Sequence, residues 1–341
     1  MSFQLPVDAT EESRSAVLTY LVQRGLAGPS DALRLERPGP SNMNCVWRAL
    51  LPRGNLILKQ ARSWVEKFPS IAAPVDRAEA EARFYRLTGQ NIDLAARLPR
   101  LIDHDANTHL LVLGDLAPAE PLEAAYSGRS LLDSKVIEDL ARWVTRLHKV
   151  EIPSIDAEKF RNRGMRALNH AHIFDLPLRE AGVFDELLER ITPGLADLAR
   201  KLRSDDAYVS KVGSLGRRYL DADRPSLIHG DLFLGSLLLK NRSEIMVIDP
   251  EFSFGGDPEF DLGVFYAHLL LSNQSPMLAS EWLERTVILG EASVALVKQY
   301  AGVEIMRRLI GVAQLPLTVP LDVKRELLEH SRKLVCAGDS G

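Results

Sequence analysis

Residues 227–263 read LIHGDLFLGSLLLKNRSEIMVIDPEFSFGGDPEFDLG, and this stretch decides the fold. It contains short apolar runs that predict buried strands, and acidic residues follow these runs. Asp231 comes after the run LI and the pair His-Gly, while Asp249 and Glu251 come after the run IMVI. Because carboxylates that face the same way repel each other, a bound cation between them is a natural counter-charge. The stretch therefore predicts a functional site at the ends of buried strands.

The chain on either side of this stretch divides into two patterns. The first 115 residues contain β-rich runs with helical patterns around them, and the runs are CVWRALL at 45–51, NLILKQA at 55–61 and ARLPRLIDHDANTHLLVLGDL at 96–116. From about residue 130 most of the chain has helical periodicity, as in SLLDSKVIEDLARWVTRLHKV. We therefore predict a β-rich unit at 1–115 and a helical unit at 116–341, with the boundary in the Pro- and Gly-containing segment 113–121. Ligands favour the clefts between such units.

The composition is that of a globular protein with a large core. Of the 341 residues, 46% are hydrophobic and 26% are charged, and the net charge is −4. The lack of a concentrated basic run argues against a nucleic-acid partner. The sequence contains no apolar stretch of membrane-spanning length and no signal-peptide pattern at its N-terminus, so we expect a cytoplasmic protein without a membrane partner. Cys45 and Cys336 are expected to be ordinary thiols.

The acidic residues of the opening stretch match what phosphoryl transfer from ATP requires. This reaction needs a carboxylate that orients the attacking hydroxyl, oxygen ligands for Mg²⁺, and a lysine on the phosphates. Asp231 lies in a loop that can aim it at a substrate, and Ser236 offers a second oxygen nearby. Asp249 and Glu251 share one side of an extended backbone, which makes them candidate Mg²⁺ ligands. We therefore expect the acids at 231, 249 and 251 to converge on one divalent ion.

The pattern H-G-D-x-x-x-x-S, followed by I-D-P-E and F-D-L-G, resembles the active-site block of the aminoglycoside phosphotransferase and choline kinase superfamily, relatives of protein kinases. The resemblance implies an α+β, bilobal protein-kinase-like fold that has a β-rich N-lobe and a mainly helical C-lobe and uses ATP and Mg²⁺. It makes Asp231 the catalytic carboxylate and Asp249 the principal Mg²⁺ ligand, while Glu251 supports a second metal or the substrate. Ser236 occupies the position of an asparagine metal ligand, with a hydroxyl that has no metal contact as the alternative.

Other residues of the block receive supporting roles from the same resemblance. Asp261 is expected to brace the catalytic loop by accepting backbone hydrogen bonds. His229 is expected to pack beneath that loop. Asp257 and Glu259, in the polar segment GGDPEF, are expected to be exposed loop acids.

The N-terminal unit has to supply the nucleotide contacts. Lys59 ends the predicted strand LILK and is the candidate phosphate-pairing lysine. Glu81 on the following helix is its expected ion-pair partner, and Glu79 on the same helix is the alternative. An isolated ammonium at the end of an apolar strand would be poorly explained without such a partner.

Two loops of this unit are candidates for further nucleotide contacts. The segment PGPSNMNCVWRA stands where a kinase phosphate-covering loop belongs, although only Gly39 remains of the usual glycines. The candidate phosphate donors in it are Ser41, Asn42 and Asn44, with ordinary hairpin chemistry as the alternative. The segment LLVLGDL resembles a kinase hinge, which implies that the backbone of Gly114 and Leu116 binds adenine.

Three further segments narrow the acceptor. The chain resembles methylthioribose kinases in three places. These are the run LILKQARSWVEKFPSIAAPVDRAEAEARFY, the two motifs HGDLFLGS and DPEF, and the segment VEIMRRLIGVAQ. In that family an arginine of the twin pair helps to bind the sugar, which implies Arg307 and Arg308 here, with an interlobe salt bridge as the alternative. Phe233 stands where the family has a histidine, so it is a candidate substrate contact that would reshape the acceptor pocket, or a packing residue.

Three functional hypotheses result. The first is an ATP- and Mg²⁺-dependent kinase for a hydroxyl of a small metabolite, most similar to a methylthioribose kinase. The second is an aminoglycoside phosphotransferase or another small amino-alcohol kinase, and the third is a weakly active pseudokinase-like nucleotide-binding module. In the first two the partner is a small-molecule substrate, and the protein is expected to be a monomer or a homodimer.

Overall fold

A computed structural model describes residues 3–127, 132–179, 183–221, 223–272, 274–290, 292–315, 317 and 319–337. The chain separates into two compact units, Met1–Pro118 and Ala119–Gly341, and the division falls within the segment 113–121. The first unit is rich in β-structure and the second is mainly helical, so the α+β class predicted from the sequence is confirmed. Among the helices that the described residues form, none is both long and apolar enough to cross a lipid bilayer.

The first unit is built on an antiparallel sheet. Its elements are α1 Glu11–Gln23, β1 Arg34–Glu36, β2 Cys45–Leu50, β3 Leu56–Gln60, β4 Trp64–Val65, β5 Phe68–Ala72, α2 Arg77–Thr88, α3 Ile92–Ala95, β6 Leu101–Asp105 and β7 Leu110–Gly114. The main sheet has the strand order β1-β2-β3-β7-β6, and β4 pairs with β5 in a separate hairpin. In β2 buried and half-buried residues alternate, which is the pattern of a strand with one face on a core. The first two β-rich runs thus form an antiparallel pair, β2 and β3.

The alternation of side chains along β3 decides where Lys59 points. Lys59 lies opposite Val46 of β2 and Leu111 of β7, in the middle of the sheet. Its neighbour Leu58 belongs to the apolar core that α1 covers with Leu21 and other residues. Because successive side chains of a strand point to opposite faces, Lys59 points to the other face, where α2 packs on β6 and β7.

The second unit is a set of helices that surrounds short strands. The helices are α4 Ser134–His148, α5 Arg163–His170, α6 Val183–Ile191, α7 Leu195–Arg203, α8 Asp206–Asp221, α9 Pro258–Leu271, α10 Pro276–Gly290, α11 Val294–Ile310 and α12 Leu321–Cys336. The strands are β8 Ala119–Pro121, β9 Leu227–Ile228, β10 Leu237–Lys240, β11 Glu244–Val247 and β12 Phe254–Gly255. β10 pairs antiparallel with β11, and β9 pairs with β12. The segment between Asp231 and Asp249 thus contains a hairpin of two strands.

Helices α9 and α11 pack closely at the centre of this unit. A β-carbon on Gly263 of α9 would lie 2.6 Å from the carbonyl oxygen of Val297 and 2.8 Å from Cβ of Tyr300, both on α11. Only a residue without a side chain permits this approach of the two backbones. The close packing fixes α9, which carries Asp261, relative to α11, which carries Arg307.

Candidate active site

The loop that carries Asp231 touches the turn that follows Asp249. Gly230 has a φ of +83°, and a β-carbon there would lie 2.2 Å from the carbonyl oxygen of Phe252. Glycine is therefore required both for the left-handed backbone and for the space. This contact holds the two acidic loops of the opening stretch side by side.

Asp261, in the first turn of α9, ties down the same loop. Its two carboxylate oxygens accept hydrogen bonds from the backbone N–H groups of His229, at 2.7 Å, and Gly230, at 2.9 Å. The side chain of Asp261 is fully buried, and Nε2 of His148 lies 3.0 Å from it. A buried carboxylate with several donors is well satisfied, so it fixes the backbone beside Asp231. The hydrogen bonds predicted for Asp261 are confirmed.

His229 connects the loop of Asp231 with the strand end before Asp249. Its Nδ1 accepts a hydrogen bond from the backbone N–H of Asp231 at 3.3 Å, and its Nε2 lies 3.0 Å from the carbonyl oxygen of Ile248. This pair of partners requires the proton on Nε2, which donates to the carbonyl. The fully buried ring therefore connects Asp231 to the residue before Asp249.

Asp249 has a strained backbone. Its φ of 61° and ψ of 48° lie in the left-handed region, which costs a residue other than glycine roughly 1–3 kcal/mol. The next residues are also held in place, because Nδ2 of Asn162 donates to the carbonyl oxygens of Glu251, at 2.9 Å, and Ser253, at 3.0 Å. Such strain is maintained only where surrounding contacts enforce it, and it is typical of functional turns.

Two of the residues predicted as metal ligands, Glu251 and Ser236, are buried. Glu251 is 4% exposed, and Ser236 is 2% exposed and donates its hydroxyl to the carbonyl oxygen of Asp231 at 2.8 Å. Within the described ranges, no three His, Cys, Asp or Glu side chains form a group that could hold one metal ion. The expectation that Asp231, Asp249 and Glu251 converge as three protein ligands is therefore wrong for this arrangement. Mg²⁺ needs only one or two carboxylates when phosphates and water complete its shell.

Two buried arginines of α11 lie against Asp231. Nη2 of Arg307 donates to Oδ1 of Asp231 at 3.2 Å, and Nη2 of Arg308 lies 3.7 Å from the same oxygen. The arginine side chains are 6% and 8% exposed, while that of Asp231 is 20% exposed. Arg307 and Arg308, predicted as substrate residues, are thus brought together with the predicted catalytic carboxylate.

Phe233 completes this group. The guanidinium carbon of Arg308 lies 4.6 Å from the centre of the Phe233 ring, which is a cation–π distance. The ring centres of Phe233 and His268 are 5.4 Å apart, so the half-buried phenyl ring packs within the cluster. Phe233 therefore stands beside Arg308, one of the two arginines predicted to bind the sugar.

The arginines are held by Glu304, a residue that the sequence reasoning missed. Oε2 of Glu304 accepts from Nε of Arg307 at 2.5 Å, and Oε1 accepts from Nε of Arg308 at 2.7 Å. Burial favours the protonated form of Glu304, but the charges of the two arginines outweigh it and hold the pKa of this carboxyl well below its usual range. The i, i+3 and i, i+4 spacing of an acid and two arginines on one helix was the signal that could have identified the cluster.

The predicted pairing of Lys59 in the first unit is confirmed. Nζ of Lys59 lies 2.7 Å from an oxygen of Glu81, and the two side chains are 5% and 1% exposed. The alternative partner, Glu79, instead lies near Arg83, Arg86 and His104. Glu81 is therefore the residue that fixes the lysine ammonium on this face of the sheet.

The candidate phosphate loop has its polar groups engaged in the fold. The hydroxyl of Ser41 donates to the carbonyl of Asn44 at 2.8 Å, and the side chain of Asn44 is buried and accepts from Nε of Arg77 at 2.9 Å. The side chain of Asn42 is exposed, and its carbonyl accepts from the N–H of Lys67 at 3.0 Å. Ser41 and Asn44 therefore show the hairpin chemistry that was the alternative, which leaves the Asn42 side chain as the candidate donor.

The predicted adenine contacts lie at the end of β7. The N–H of Gly114 donates to the carbonyl of Arg100 at 2.8 Å, so this donor is committed within the first unit. Leu116 lies beyond the strand and is half-buried. The backbone of Leu116 and the carbonyl of Gly114 remain the candidate groups for a base.

Comparison with known protein families identifies the family of this chain. The profile of the phosphotransferase enzyme family, APH, matches residues 53–296, which is more than half of the chain. The chain belongs to the phosphotransferase enzyme family. The match includes Lys59, Glu81, Asp231 and Asp249, whereas the arginine pair of α11 lies beyond it.

Relatives of this phosphotransferase include methylthioribose kinases. The enzyme of Geobacillus sp. (strain WCH70) is 24% identical over 375 residues, covering 96% of this chain and 90% of the relative. That of Yersinia enterocolitica serotype O:8 is 27% identical over 264 residues, covering 72% of this chain and 62% of the relative. The resemblance to methylthioribose kinases noted in the sequence is therefore confirmed as a similarity.

Solved structures support the kinase-like fold of this phosphotransferase. The spectinomycin phosphotransferase APH(9)-Ia has a TM-score of 0.56 at 12% identity, with 97% of this chain and 98% of that chain covered. A choline/ethanolamine kinase family protein from Mesorhizobium loti has a TM-score of 0.54 at 17% identity, with 96% and 95% covered. Likeness at these identities establishes the fold, and the acceptor has to be argued from the site.

Proposed function

We propose that this phosphotransferase transfers the γ-phosphoryl group of ATP to a hydroxyl of a small neutral or anionic metabolite, with a methylthioribose-like sugar as the favoured acceptor. The observation that carries the proposal is the placement of Arg307 and Arg308 on one oxygen of Asp231. A carboxylate held in this way is fixed in direction, which is what the orientation of an attacking hydroxyl requires.

The first unit is proposed to bind the nucleotide. The buried Lys59–Glu81 pair presents an ammonium whose position is fixed, which suits a contact to phosphate oxygens. Two of the similar structures were obtained with nucleotides, namely LicA with AMP and APH(9)-Ia with ADP and spectinomycin. ATP is therefore the proposed phosphate donor.

Mg²⁺ is proposed to bind at the turn that begins with Asp249. The donor types suit the ion, because Asp249 and Glu251 carry carboxylates and the Ser236 hydroxyl oxygen keeps lone pairs while it donates a hydrogen bond to the backbone carbonyl oxygen of Asp231. The left-handed backbone of Asp249 supports a functional role for this turn. When bound, the ion would supply charge neutralisation on the transferred phosphate.

Asp231 is proposed to orient the acceptor. Both arginines approach its Oδ1, so we assign Oδ2 to the hydrogen bond from the substrate hydroxyl. The carboxylate thereby aims an oxygen lone pair of the acceptor at the phosphorus and receives the hydroxyl proton as the new bond forms. Arg307 and Arg308 stabilise the negative charge of Asp231 until that proton arrives.

The charge of this cluster separates the candidate acceptors. Two arginines face two carboxylates, Asp231 and Glu304, so the group as a whole is neutral. A polycationic aminoglycoside or a quaternary ammonium would need an acidic surface there, whereas sugar hydroxyls and carboxylates suit guanidinium donors. The arrangement therefore favours the sugar kinase over the antibiotic or amino-alcohol kinase.

ADP release with a panel of acceptors tests this proposal. The panel contains methylthioribose, other thio-sugars, pentoses, choline and an aminoglycoside, each assayed with ATP and Mg²⁺ and with the Asp231→Asn variant as control. We expect turnover with one of the neutral sugars and a loss of about three or more orders of magnitude in Asp231→Asn, with ATP binding retained. Turnover of cationic acceptors alone would overturn the assignment, and no ADP release with any acceptor would favour a pseudokinase-like module.

A further inference from the structure

We propose that Glu304 is a positioning residue that sets the direction of Asp231 through the two arginines, an inference that rests on the proposed function of Asp231. Glu304 is 1% exposed and contacts the arginines rather than Asp231. It lies on α11, where its carboxylate takes one N–H from each guanidinium group. Its effect on the reaction is therefore indirect.

The geometry of the guanidinium groups explains how the effect is transmitted. Each arginine uses Nε for Glu304 and turns Nη2 toward Oδ1 of Asp231. A guanidinium is planar, so fixing the direction of its Nε–H fixes the directions of its other N–H groups in the same plane. Glu304 thus decides from which side the arginines reach Asp231 and leaves Oδ2 on the opposite side for the acceptor.

A chain of hydrogen bonds fixes Glu304 in turn. His268 Nε2 lies 2.8 Å from Oε1 of Glu304, and the hydroxyl of Tyr126 lies 2.5 Å from Nδ1 of His268. Burial lowers the pKa of His268 to about 4, so the ring is neutral at physiological pH. Because a carboxylate can only accept, Nε2 carries the proton and Nδ1 accepts from Tyr126. The donors therefore run in one direction, from Tyr126 through His268 to Glu304.

The charge of Glu304 is as important as its shape. Its single negative charge is shared by two buried arginines, whose remaining counter-charge is Asp231. Glu304→Gln keeps the size but replaces one acceptor oxygen by an NH₂ group that faces donors. The arginines would then turn further toward Asp231 and compete with the acceptor hydroxyl for its second oxygen.

Asp257 provides a matched control, because it is also a buried carboxylate that binds two arginines. It accepts from Arg218 at 2.6 and 2.9 Å, from Arg224 at 3.3 Å and from the hydroxyl of Tyr300 at 3.2 Å. None of the described contacts of these arginines involves Asp231. Asp257→Asn therefore measures the general cost of removing such a charge from this unit.

Steady-state kinetics with the acceptor identified by the panel test the proposal. We expect Glu304→Gln to lower kcat/KM for the acceptor about 10- to 100-fold while the KM for ATP stays within about twofold. Glu304→Asp keeps the charge and should recover part of the loss. Asp257→Asn should lower thermal stability comparably but leave both kinetic constants near those of the wild type.

A purely structural role of Glu304 predicts a different result. In that case Glu304→Gln and Asp257→Asn would show the same loss of stability and the same kinetic constants per folded molecule, and the proposal would be overturned. If Glu304→Gln does not fold, Tyr126→Phe takes its place, since it removes the hydroxyl that donates to His268. A change of about two- to fivefold in acceptor kcat/KM is then expected, and an unchanged value overturns the proposal.

Failure of the proposed function is distinguishable from failure of this inference. If the wild type releases no ADP with any acceptor, the kinase assignment is wrong, and the cluster is then examined by ¹⁵N NMR of the arginine Nε–H groups. Slowly exchanging signals of Arg307 and Arg308 that are lost in Glu304→Gln and retained in Asp257→Asn support the positioning role. Signals that exchange fast in the wild type overturn it.

Discussion

The α-carbon of Gly230 faces the carbonyl oxygen of Phe252 so closely that a β-carbon would lie 2.2 Å from it. The contact joins the loop of Asp231 to the turn of Asp249 through backbone atoms, which cannot move aside as a flexible side chain can. The relative position of the two predicted functional acids thus depends on one residue having no side chain.

Gly230→Ala is therefore expected to disrupt the site. The new methyl group would force the two loops apart, and the φ of +83° adds backbone strain of about 1 kcal/mol or more. We expect turnover to fall by about 100-fold or more together with a lower melting temperature. Gly25→Ala is the control, because Gly25 has a φ of +70° but a β-carbon there would meet no described atom within 4 Å. Equal effects of the two substitutions on activity would show that the contact with Phe252 is unimportant.

The sequence predicts the local parts of this site well. The β10–β11 hairpin and the ends of the apolar runs follow from periodicity, while the pairing of Lys59 with Glu81 follows from what the resemblance to kinases implies. Glu304 is also a local contact, since it lies three and four residues before its arginines, but it was not identified from the sequence.

Contacts between residues that are far apart in the sequence were not predictable from periodicity or proximity. Asp257 was expected to be exposed because it lies in a polar, glycine-rich segment, and this prediction is wrong: it is 5% exposed. Its partners, Arg218 and Tyr300, lie 39 and 43 residues away, and the pair of Tyr126 and His268 is 142 residues apart. Single-sequence patterns contain no information about which distant polar groups satisfy each other on burial.

Contacts between distant polar groups also explain why Asn44 of the candidate phosphate loop points inward. Asn44 was predicted to face phosphate, but its side chain binds Arg77, a fully buried guanidinium. Arg77 also donates to the carbonyl oxygens of Met43, Arg62 and Pro74, so it ties together separate segments of the first unit. The sequence pattern identified the loop and its polar residues, but the structure decides which of them point inward.

Removal of the Glu81 charge is expected to weaken nucleotide binding. In Glu81→Gln the ammonium of Lys59 would lose its buried counter-charge, which costs several kcal/mol or forces the lysine to move. We expect the KM for ATP to rise about tenfold or more, while the KM for the acceptor changes little. Glu79→Gln on the same helix is the control, because Glu79 is more exposed and lies near Arg83 and Arg86. An unchanged ATP affinity in Glu81→Gln would remove Lys59 from the proposed nucleotide contacts.

Asp249→Asn is expected to separate the charge of this residue from its backbone conformation. Asparagine tolerates the left-handed region better than most residues, so the turn at φ 61° should persist. If Asp249 is a ligand of Mg²⁺, the variant should need a higher Mg²⁺ concentration for half-maximal ADP release and turn over about 100-fold or more slowly. The measurement is a Mg²⁺ titration at saturating ATP, with the melting temperature as a check on folding. A Mg²⁺ dependence equal to that of the wild type would contradict the assignment.

The burial of His268 predicts a pH dependence of stability. Its pKa is about 4 in the folded protein and about 6.5 when unfolded, so below pH 6.5 the unfolded state binds a proton that the folded state does not. The stabilisation is fully present above pH 6.5 and is lost as the pH falls toward 4, by up to about 3 kcal/mol at 1.36 kcal/mol per pKa unit. Unfolding free energies measured by denaturant titration between about pH 7.5 and 5 should therefore fall more steeply in the wild type than in His268→Gln, whose amide can keep both hydrogen bonds without titrating. The other histidines are common to both proteins and cancel in this comparison, so parallel curves would mean that His268 takes up its proton equally in the folded and unfolded states.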